Sequence, residues 1–283
     1  MKKKLCLVVL SHSSYKDMWD LTLPSYNKFF KCPIDLFITS DIDPTDDDKI
    51  NLKNNNFKLL KYPSELSWSS ALRYITNKNI FNNYNYVLFT FDDIVLTKNV
   101  SNSAIETCLK FMNENQLNSL TMNNSHRTIG SILRGYFNGK IAFNISKNDV
   151  YRGSLVFSCW DCSYFEKLIN NPKFDNLSPW EYENNIKLFL RNENKIMAVY
   201  NAIFNYANIL IRGVVLSSEL EKAIKSLKGT NIKYSINRSK ISGLRLLKYE
   251  IRKKTFALLR LLLPPKLFYS LHIINSKIKS LTK

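Results

Sequence analysis

The 283 residues predict an α/β domain built on a mostly parallel central sheet, and three observations carry that prediction. Short runs rich in β-branched and aromatic residues alternate with stretches of helical periodicity. Their order is strand, helix, strand, strand, helix, strand. Several runs then end abruptly in polar residues, the sharpest case being residues 84–94, Tyr-Asn-Tyr-Val-Leu-Phe-Thr-Phe-Asp-Asp-Ile. Such a run suits a sheet interior, whereas two consecutive aspartates do not.

Residues 5–10 open as a parallel-type strand that leads to Ser11-His12-Ser13-Ser14. Residues 17–30 predict a helix from the recurrence of Trp19, Leu23, Tyr26 and Phe30, with Pro24 disturbing its middle. Residues 34–41 form the next strand, ending at Asp41, and residues 42–56 read as an acidic, Asn-rich loop. Residues 57–61 make a short strand that delivers Tyr62-Pro63 and then Trp68-Ser69-Ser70; residues 71–80 suit a helix. After the strand around Tyr86, residues 101–115 are helical. Residues 121–144 mix aromatic, glycine and basic residues without clean periodicity, residues 150–157 read as a strand and residues 160–168 as a helix. The helix over 179–191 starts with Ser178-Pro179-Trp180-Glu181-Tyr182-Glu183, which supplies a cap, a first-turn proline and early acids.

A chain of this length and 45% hydrophobic content can bury a full core and hold one main domain. The five cysteines (Cys6, Cys32, Cys108, Cys159 and Cys162) are odd in number and scattered, unlike a secreted disulfide framework. Cys159 and Cys162 have redox-motif spacing, but two half-buried structural thiols account for them better. The basic, then apolar amino terminus resembles a signal peptide, yet its apolar run is one strand long and too short for a membrane span. A buried first strand of a cytoplasmic domain explains it better. Charge is uneven. Residues 231–283 carry 13 Lys or Arg against Glu250, a balance of +12; the whole-chain +18 less 12 leaves +6 for residues 1–230.

Ligands of open α/β sheets sit beyond the carboxyl ends of the strands. Ser11, Asp41, Trp68 and the pair Asp92-Asp93 all fall at or just after such ends. Adjacent carboxylates repel each other and lose solvation there unless a cation or bound donor compensates, and a divalent metal with a phosphate-bearing ligand is the simplest compensation. A solvated loop pair is the alternative. Gly130, Gly135 and Gly139 are too widely spaced for a phosphate loop, and neither a Walker nor a dinucleotide motif is present. His12, His126 and His272 form no local zinc pattern, and no Ser-His-acid or Cys-His constellation stands out. Glu181 and Glu183 also complement the helix dipole, and their spacing does not put them on one face.

Four stretches together resemble a bacterial GT-A-type glycosyltransferase of surface-polysaccharide (capsule or O-antigen) biosynthesis: Val8-Val9-Leu10-Ser11-His12, Trp68-Ser69-Ser70-Ala71-Leu72, Phe91-Asp92-Asp93-Ile94 and Ser178-Pro179-Trp180-Glu181-Tyr182-Glu183. The segment from Tyr151-Arg152-Gly153-Ser154-Leu155 through Trp160 is similar to the acceptor-side region of such enzymes, so the resemblance spans roughly residues 5–200. It implies a Rossmann-type αβα sandwich that binds a nucleotide-sugar donor, with Mn²⁺ or Mg²⁺ against the diphosphate. Asp93 is then the stronger metal ligand, with Asp92 contacting sugar or ribose or supporting the metal. The pattern departs from a full Asp-x-Asp, because Phe91 precedes the pair and Ile94 follows it. Ser11, His12, Asp41 and Trp68 would line the nucleotide, and Arg73 would approach phosphate. For an inverting transfer the resemblance gives Glu183 as base, then Glu181, with Asp161 third.

On this reading residues 1–230 are a GT-A-like catalytic domain and residues 231–283 a basic amphipathic helical tail. Residues 242–263 alternate cationic and apolar residues at helical spacing before Pro264-Pro265, and residues 268–278 form a second short amphipathic segment. Neither crosses a bilayer. Peripheral contact with the anionic inner face of the cell membrane fits this pattern and a lipid-linked glycan acceptor; a helix packed on the body or a second subunit is the alternative. No nucleic acid is expected, because the body lacks a recognition module and the basic segment is leucine-rich. The competing function is a noncatalytic carbohydrate-binding or assembly protein.

Overall fold

The computed structural model describes residues 3–78, 81–123, 140–149, 151–211, 213–230, 234–241, 243–263 and 267. Gly130, Gly135, Gly139, His126, His272 and the segment 268–278 lie outside the described residues.

Among the described residues eight strands make the central sheet: β1 (Lys3–Leu10), β2 (Asp35–Ser40), β3 (Phe57–Lys61), β4 (Tyr84–Phe91), and later β6 (Ser119–Thr121), β7 (Ala142–Asn144), β8 (Ser158–Asp161) and β9 (Ile196–Val199). Their spatial order is β3-β2-β1-β4-β8-β6-β9-β7. The first four are mutually parallel; β8 runs antiparallel to both β4 and β6, β6 is parallel to β9, and β7 is antiparallel to β9. The expected mixed, mainly parallel sheet is therefore present.

Alternation along β1 explains the layering. Leu5, Leu7 and Val9 belong to one buried cluster, with the helix α1 (Trp19–Phe29) and α4 (Asn102–Glu114). Cys6, Val8 and Leu10 belong to another, with α3 (Trp68–Asn77), α5 (Cys162–Ile169) and α6 (Pro179–Phe189). A strand apolar on both faces needs helices on both sides, and the result is an αβα sandwich.

Two elements differ from the sequence expectation. Residues 42–56 are not a loop: α2 (Asp46–Asn54) forms there, with a capping box between Thr45 and Asp48 and three acids in its first turn. Parallel pairing of β2 with β3 requires such a crossover. The strand expected over 150–157 is instead turn and irregular chain across the described residues 151–157, and the strand proper is β8, at Ser158–Asp161. Gly153 has φ +127°, and a Cβ there would lie 2.9 Å from Ile186, so a close approach to α6 fixes this segment.

Past β4, β5 (Ile94–Leu96) pairs antiparallel with β10 (Tyr206–Asn208). A small sheet joins β11 (Leu210–Ile211), β12 (Val214–Leu216) and, after α7 (Ser217–Ser226), β13 (Lys240–Ile241), which is parallel to β12. Part of the segment read as a tail is thus tied to the body. The 20-residue α8 (Gly243–Leu262) follows, matching the helix expected over 242–263. Among the described residues no helix is long and apolar enough to cross a membrane.

Candidate active site at the β1–β4 switch point

The chain builds outward from β1 through β2 to β3, then returns to place β4 on the other side of β1. Strand order reverses there, which opens a crevice between the carboxyl ends of β1 and β4. Ser11 and His12 leave one strand at this crevice; Asp92 and Asp93 leave the other. The Asp92 amide donates to the Leu10 carbonyl at 3.2 Å, extending the β1–β4 ladder to the acidic pair.

Each aspartate is held by separate parts of the chain. Thr22, buried in α1, donates from its hydroxyl to the Asp92 carbonyl. The Ile209 amide donates to the Asp93 carbonyl at 3.0 Å, so the end of the antiparallel β5–β10 ladder anchors the other side. Asp92 is only 5% exposed. Burial foremost, then its neighbour Asp93, pushes its carboxyl well above the usual carboxylate range, against the Ser11 hydroxyl and His12 amide that face it. Its Oδ2 has no hydrogen-bond partner among the described residues. Burial also pushes Asp93 up, to about 7, with its own amide and Arg238 acting in the opposite direction.

Asp41, at the end of β2, is wired to the same loop. The Ser13 amide and hydroxyl donate to its two oxygens at 2.6 and 2.8 Å, and His12 Nε2 lies 3.4 Å from Oδ2. The Ser14 amide faces His12 Nδ1 at 3.1 Å, which leaves Nε2 to carry the proton toward Asp41. Burial raises the Asp41 carboxyl, but the Ser13 bonds outweigh it and hold the group below its ordinary range. Thr39 bridges the Ser11 amide and carbonyl at 2.7 and 2.8 Å, the Tyr62 hydroxyl donates to the Ser11 carbonyl at 3.1 Å, and Trp19 Nε1 donates to the Ser11 hydroxyl at 2.8 Å.

A second patch forms at the same edge of the sheet. The first turn of α3 opens just past the carboxyl end of β3, capped by Ser67. Its Ser69 amide donates to the Leu177 carbonyl at 3.1 Å, and the Leu177 amide donates to the Ser69 hydroxyl at 2.7 Å. The start of α6 is therefore held beside it, with the Trp68 ring edge-on to Tyr182 at 5.0 Å. Tyr182 is buried, and its hydroxyl has no partner among the described residues. Next to it Glu183 is half-buried; burial raises its carboxyl, offset in part by Lys187.

The structure thus joins Ser11, His12, Asp41 and Asp92 in one hydrogen-bonded cluster, with Asp93 adjacent to it in sequence, and seats Trp68 of α3 against Tyr182 of α6, the residue before Glu183. Three expected residues are committed elsewhere. Arg73 donates to the carbonyls of Ile169 at 2.9 Å and Asn171 at 3.3 Å and pairs with Asp175, so it ties α3 to the end of α5 rather than approaching phosphate. Glu181 turns back to accept from the Ser178 amide at 2.8 Å and hydroxyl at 2.6 Å, as the carboxylate of a capping box. Asp161 caps α5 through the Tyr164 amide at 2.8 Å, and its register opposite Tyr86 puts it six residues down the strand from Asp92, roughly 20 Å from the acidic pair.

Sequence reading passed over Thr22, Ser13, Thr39, Tyr62 and Arg238. Thr22, Ser13 and Thr39 are small polar residues with no motif to mark them. Their partners lie 28 or 70 positions away.

Among the described residues no group of three or more His, Cys, Asp or Glu is placed to hold a metal ion. The fit of a divalent cation rests instead on the orphaned buried Asp92 Oδ2 beside Asp93. A hard cation accepts one or two protein carboxylates and completes its shell with water and ligand phosphate, so the donor set suits Mg²⁺ or Mn²⁺.

No protein-family model matches the chain, and no curated protein matches it in sequence. Similar solved structures include S. aureus TarS 1–349, at 14% identity over 81% of this chain and 67% of that one, with a TM-score of 0.49. The same fragment in complex with UDP-GlcNAc matches at 15% identity over 72% of this chain and 57% of that one, with a TM-score of 0.48. Core-mannan synthase A from Aspergillus fumigatus, in its Mn/GDP form, matches at 10% identity over 87% of this chain and 82% of that one, with a TM-score of 0.48.

Proposed function

We propose that this chain is a glycosyltransferase that moves a sugar from a nucleotide-sugar donor to a hydroxyl of a lipid-linked surface glycan. The observation that carries the reading is a buried carboxylate oxygen without a partner, next to a second carboxylate, at the β1–β4 crevice. A folded chain keeps such a like-charge pair where a ligand compensates it.

Asp93 and Asp92 would hold Mn²⁺ or Mg²⁺, which when bound offsets the negative charge growing on a departing diphosphate. Ser11, His12 and Asp41 are placed to meet the nucleoside. The sugar–phosphate C–O bond breaks with its electron pair leaving on the diphosphate, while the acceptor oxygen bonds to the anomeric carbon. The acceptor proton passes to a carboxylate, and Glu183 suits that role because its raised carboxyl is a stronger base than a solvated one.

The same reading places the protein at a membrane. Leu244, Leu247, Ile251, Leu258 and Leu262 of α8 are all exposed, the first by 75%. At about 100° per residue they share one stripe, with Lys248 and Arg252 beside it. An interfacial helix on anionic headgroups has this pattern.

The test is a screen of nucleotide-sugar donors with Mn²⁺ or Mg²⁺ and lipid-linked glycans, followed by nucleoside diphosphate release. Metal-dependent release that Asp93→Ala abolishes is expected. Binding of glycans without turnover of any donor would favour a noncatalytic carbohydrate-binding protein instead.

A further inference from the structure

Arg238 reaches the nucleotide edge from a segment whose composition assigns it to the tail. Its Nε and Nη2 donate to the two oxygens of Asp17, both at 2.7 Å, across 221 positions of sequence. Nη2 also donates to the Ser14 carbonyl, and the guanidinium carbon lies 4.7 Å from the centre of the Tyr15 ring. The pair is largely shielded, with 16% of the Arg238 side chain and 25% of the Asp17 side chain exposed. A forked pair that also stacks on an aromatic ring fixes orientation as well as charge. The approach is rigid from behind, because the Val215 amide donates to the Ser239 carbonyl at 2.9 Å and β13 joins β12.

What Arg238 grips is the 3-10 turn Ser13–Met18. Both ends of that turn carry the site. At its start, Ser13 holds Asp41, and the two preceding residues face Asp92. Just after its end, Trp19 holds the Ser11 hydroxyl. An arginine needed only to fasten the C-terminal segment could pair with any surface acid; this one closes on the middle of the turn that wires the aspartates.

We propose that Arg238 is a positioning residue of the donor site, whose clasp on Ser14–Asp17 sets Ser11–Ser13 against Asp92 and Asp41, so that the segment after residue 230 completes the site. The inference rests on the reading of this edge as a nucleoside diphosphate site.

The experiment uses the full chain with Arg238→Ala, Arg238→Lys, Asp17→Asn and the Ala/Asn double variant, and has two readouts. Amide hydrogen exchange of residues 11–18 without ligand reports the clasp; calorimetric affinity for UDP and GDP with Mn²⁺ reports its effect on the site. Arg238→Ala should speed exchange and weaken nucleotide binding, each about tenfold, as loss of one charge-assisted pair allows. Asp17→Asn should weaken binding in the same direction, and the double variant should be no weaker than the worse single variant. Arg238→Lys keeps the charge without the fork and should fall between; it carries the test if the Ala variant does not fold. A folded variant with unchanged exchange over 11–18, or with nucleotide affinity within twofold of the wild type, overturns the proposal. A wild-type chain that binds no nucleoside diphosphate defeats the glycosyltransferase reading instead, and exchange alone then decides whether the clasp positions the loop.

Discussion

Replacing Asp93 with Asn isolates the electrostatic strain at the crevice. Burial raises the Asp93 carboxyl from its ordinary 3.8 to about 7, which corresponds to about 4 kcal/mol between its neutral and ionised forms. The folded chain therefore holds this proton more tightly than the unfolded chain does. Stability from this group is complete below about pH 4 and is lost as pH rises through 7; Asp92, pushed up by burial and by its neighbour, continues the fall in the same direction. Asparagine is neutral at every pH, so Asp93→Asn should remove the loss between pH 4 and 7. At pH 8 the variant should be more stable than the wild type by up to about 4 kcal/mol. Mn²⁺ should show the opposite preference, stabilising the wild type at pH 8 and the variant little, by mass action on the ionised pair. Urea denaturation at about pH 5 and pH 8, with and without millimolar MnCl₂, measures all four states. Identical pH dependence in the two proteins, or equal stabilisation of both by Mn²⁺, would refute the picture of a carboxylate held charged against its surroundings.

Three further outcomes are expected. Glu183→Gln should lower the transfer rate by two orders of magnitude or more, about what a lost general base costs, with donor affinity changed less than threefold; normal transfer kinetics would remove Glu183 as the base. Arg73→Ala should lower stability by about 2 kcal/mol, through loss of its bonds to the Ile169 and Asn171 carbonyls, and leave nucleotide affinity unchanged. A shift in affinity without a shift in urea midpoint would return Arg73 to the phosphate site. Leu247→Asn with Ile251→Asn on α8 should abolish flotation with vesicles rich in anionic lipid; flotation equal to wild type would make the exposed stripe irrelevant to membranes.

The parts of the site legible in the sequence are those where a strand stops in the wrong chemistry. Phe91 gives way to two aspartates, Leu10 to Ser11-His12, and Ser40 to Asp41; each change marks the point where a buried run meets the carboxyl edge. Placing α6 was also possible, because Ser178, Pro179 and Glu181 are local signals. That same locality misleads about Glu181, whose carboxylate closes the cap it announces. Helix α2 escaped because it buries only Leu52 and so lacks an apolar period, although Thr45 and Asp48 spell its capping box. Arg73 looked available for phosphate because its partners, some 96 to 98 residues away, cannot be read from α3 alone.

The residues that escaped share a physical character. A strand end can be read locally, but a repulsive pair of carboxylates must be held in place by groups whose own surroundings are already fixed. Thr22 comes from the helix after β1, Ile209 from just past β10, Ser13 from the turn before α1, and Arg238 from the segment before β13. Each supplies one to three hydrogen bonds, worth about 1 kcal/mol apiece when neutral and more when charged. Burial is the main cause of the raised Asp93 carboxyl, and what remains after its own amide and Arg238 oppose it still corresponds to about 4 kcal/mol. A chemistry that needs a buried carboxylate beside a half-buried one at a strand end thus draws support from distant parts of the fold. On the proposed role of Arg238, that requirement explains why composition could separate residues 231–283 as a tail while one of them supports the site.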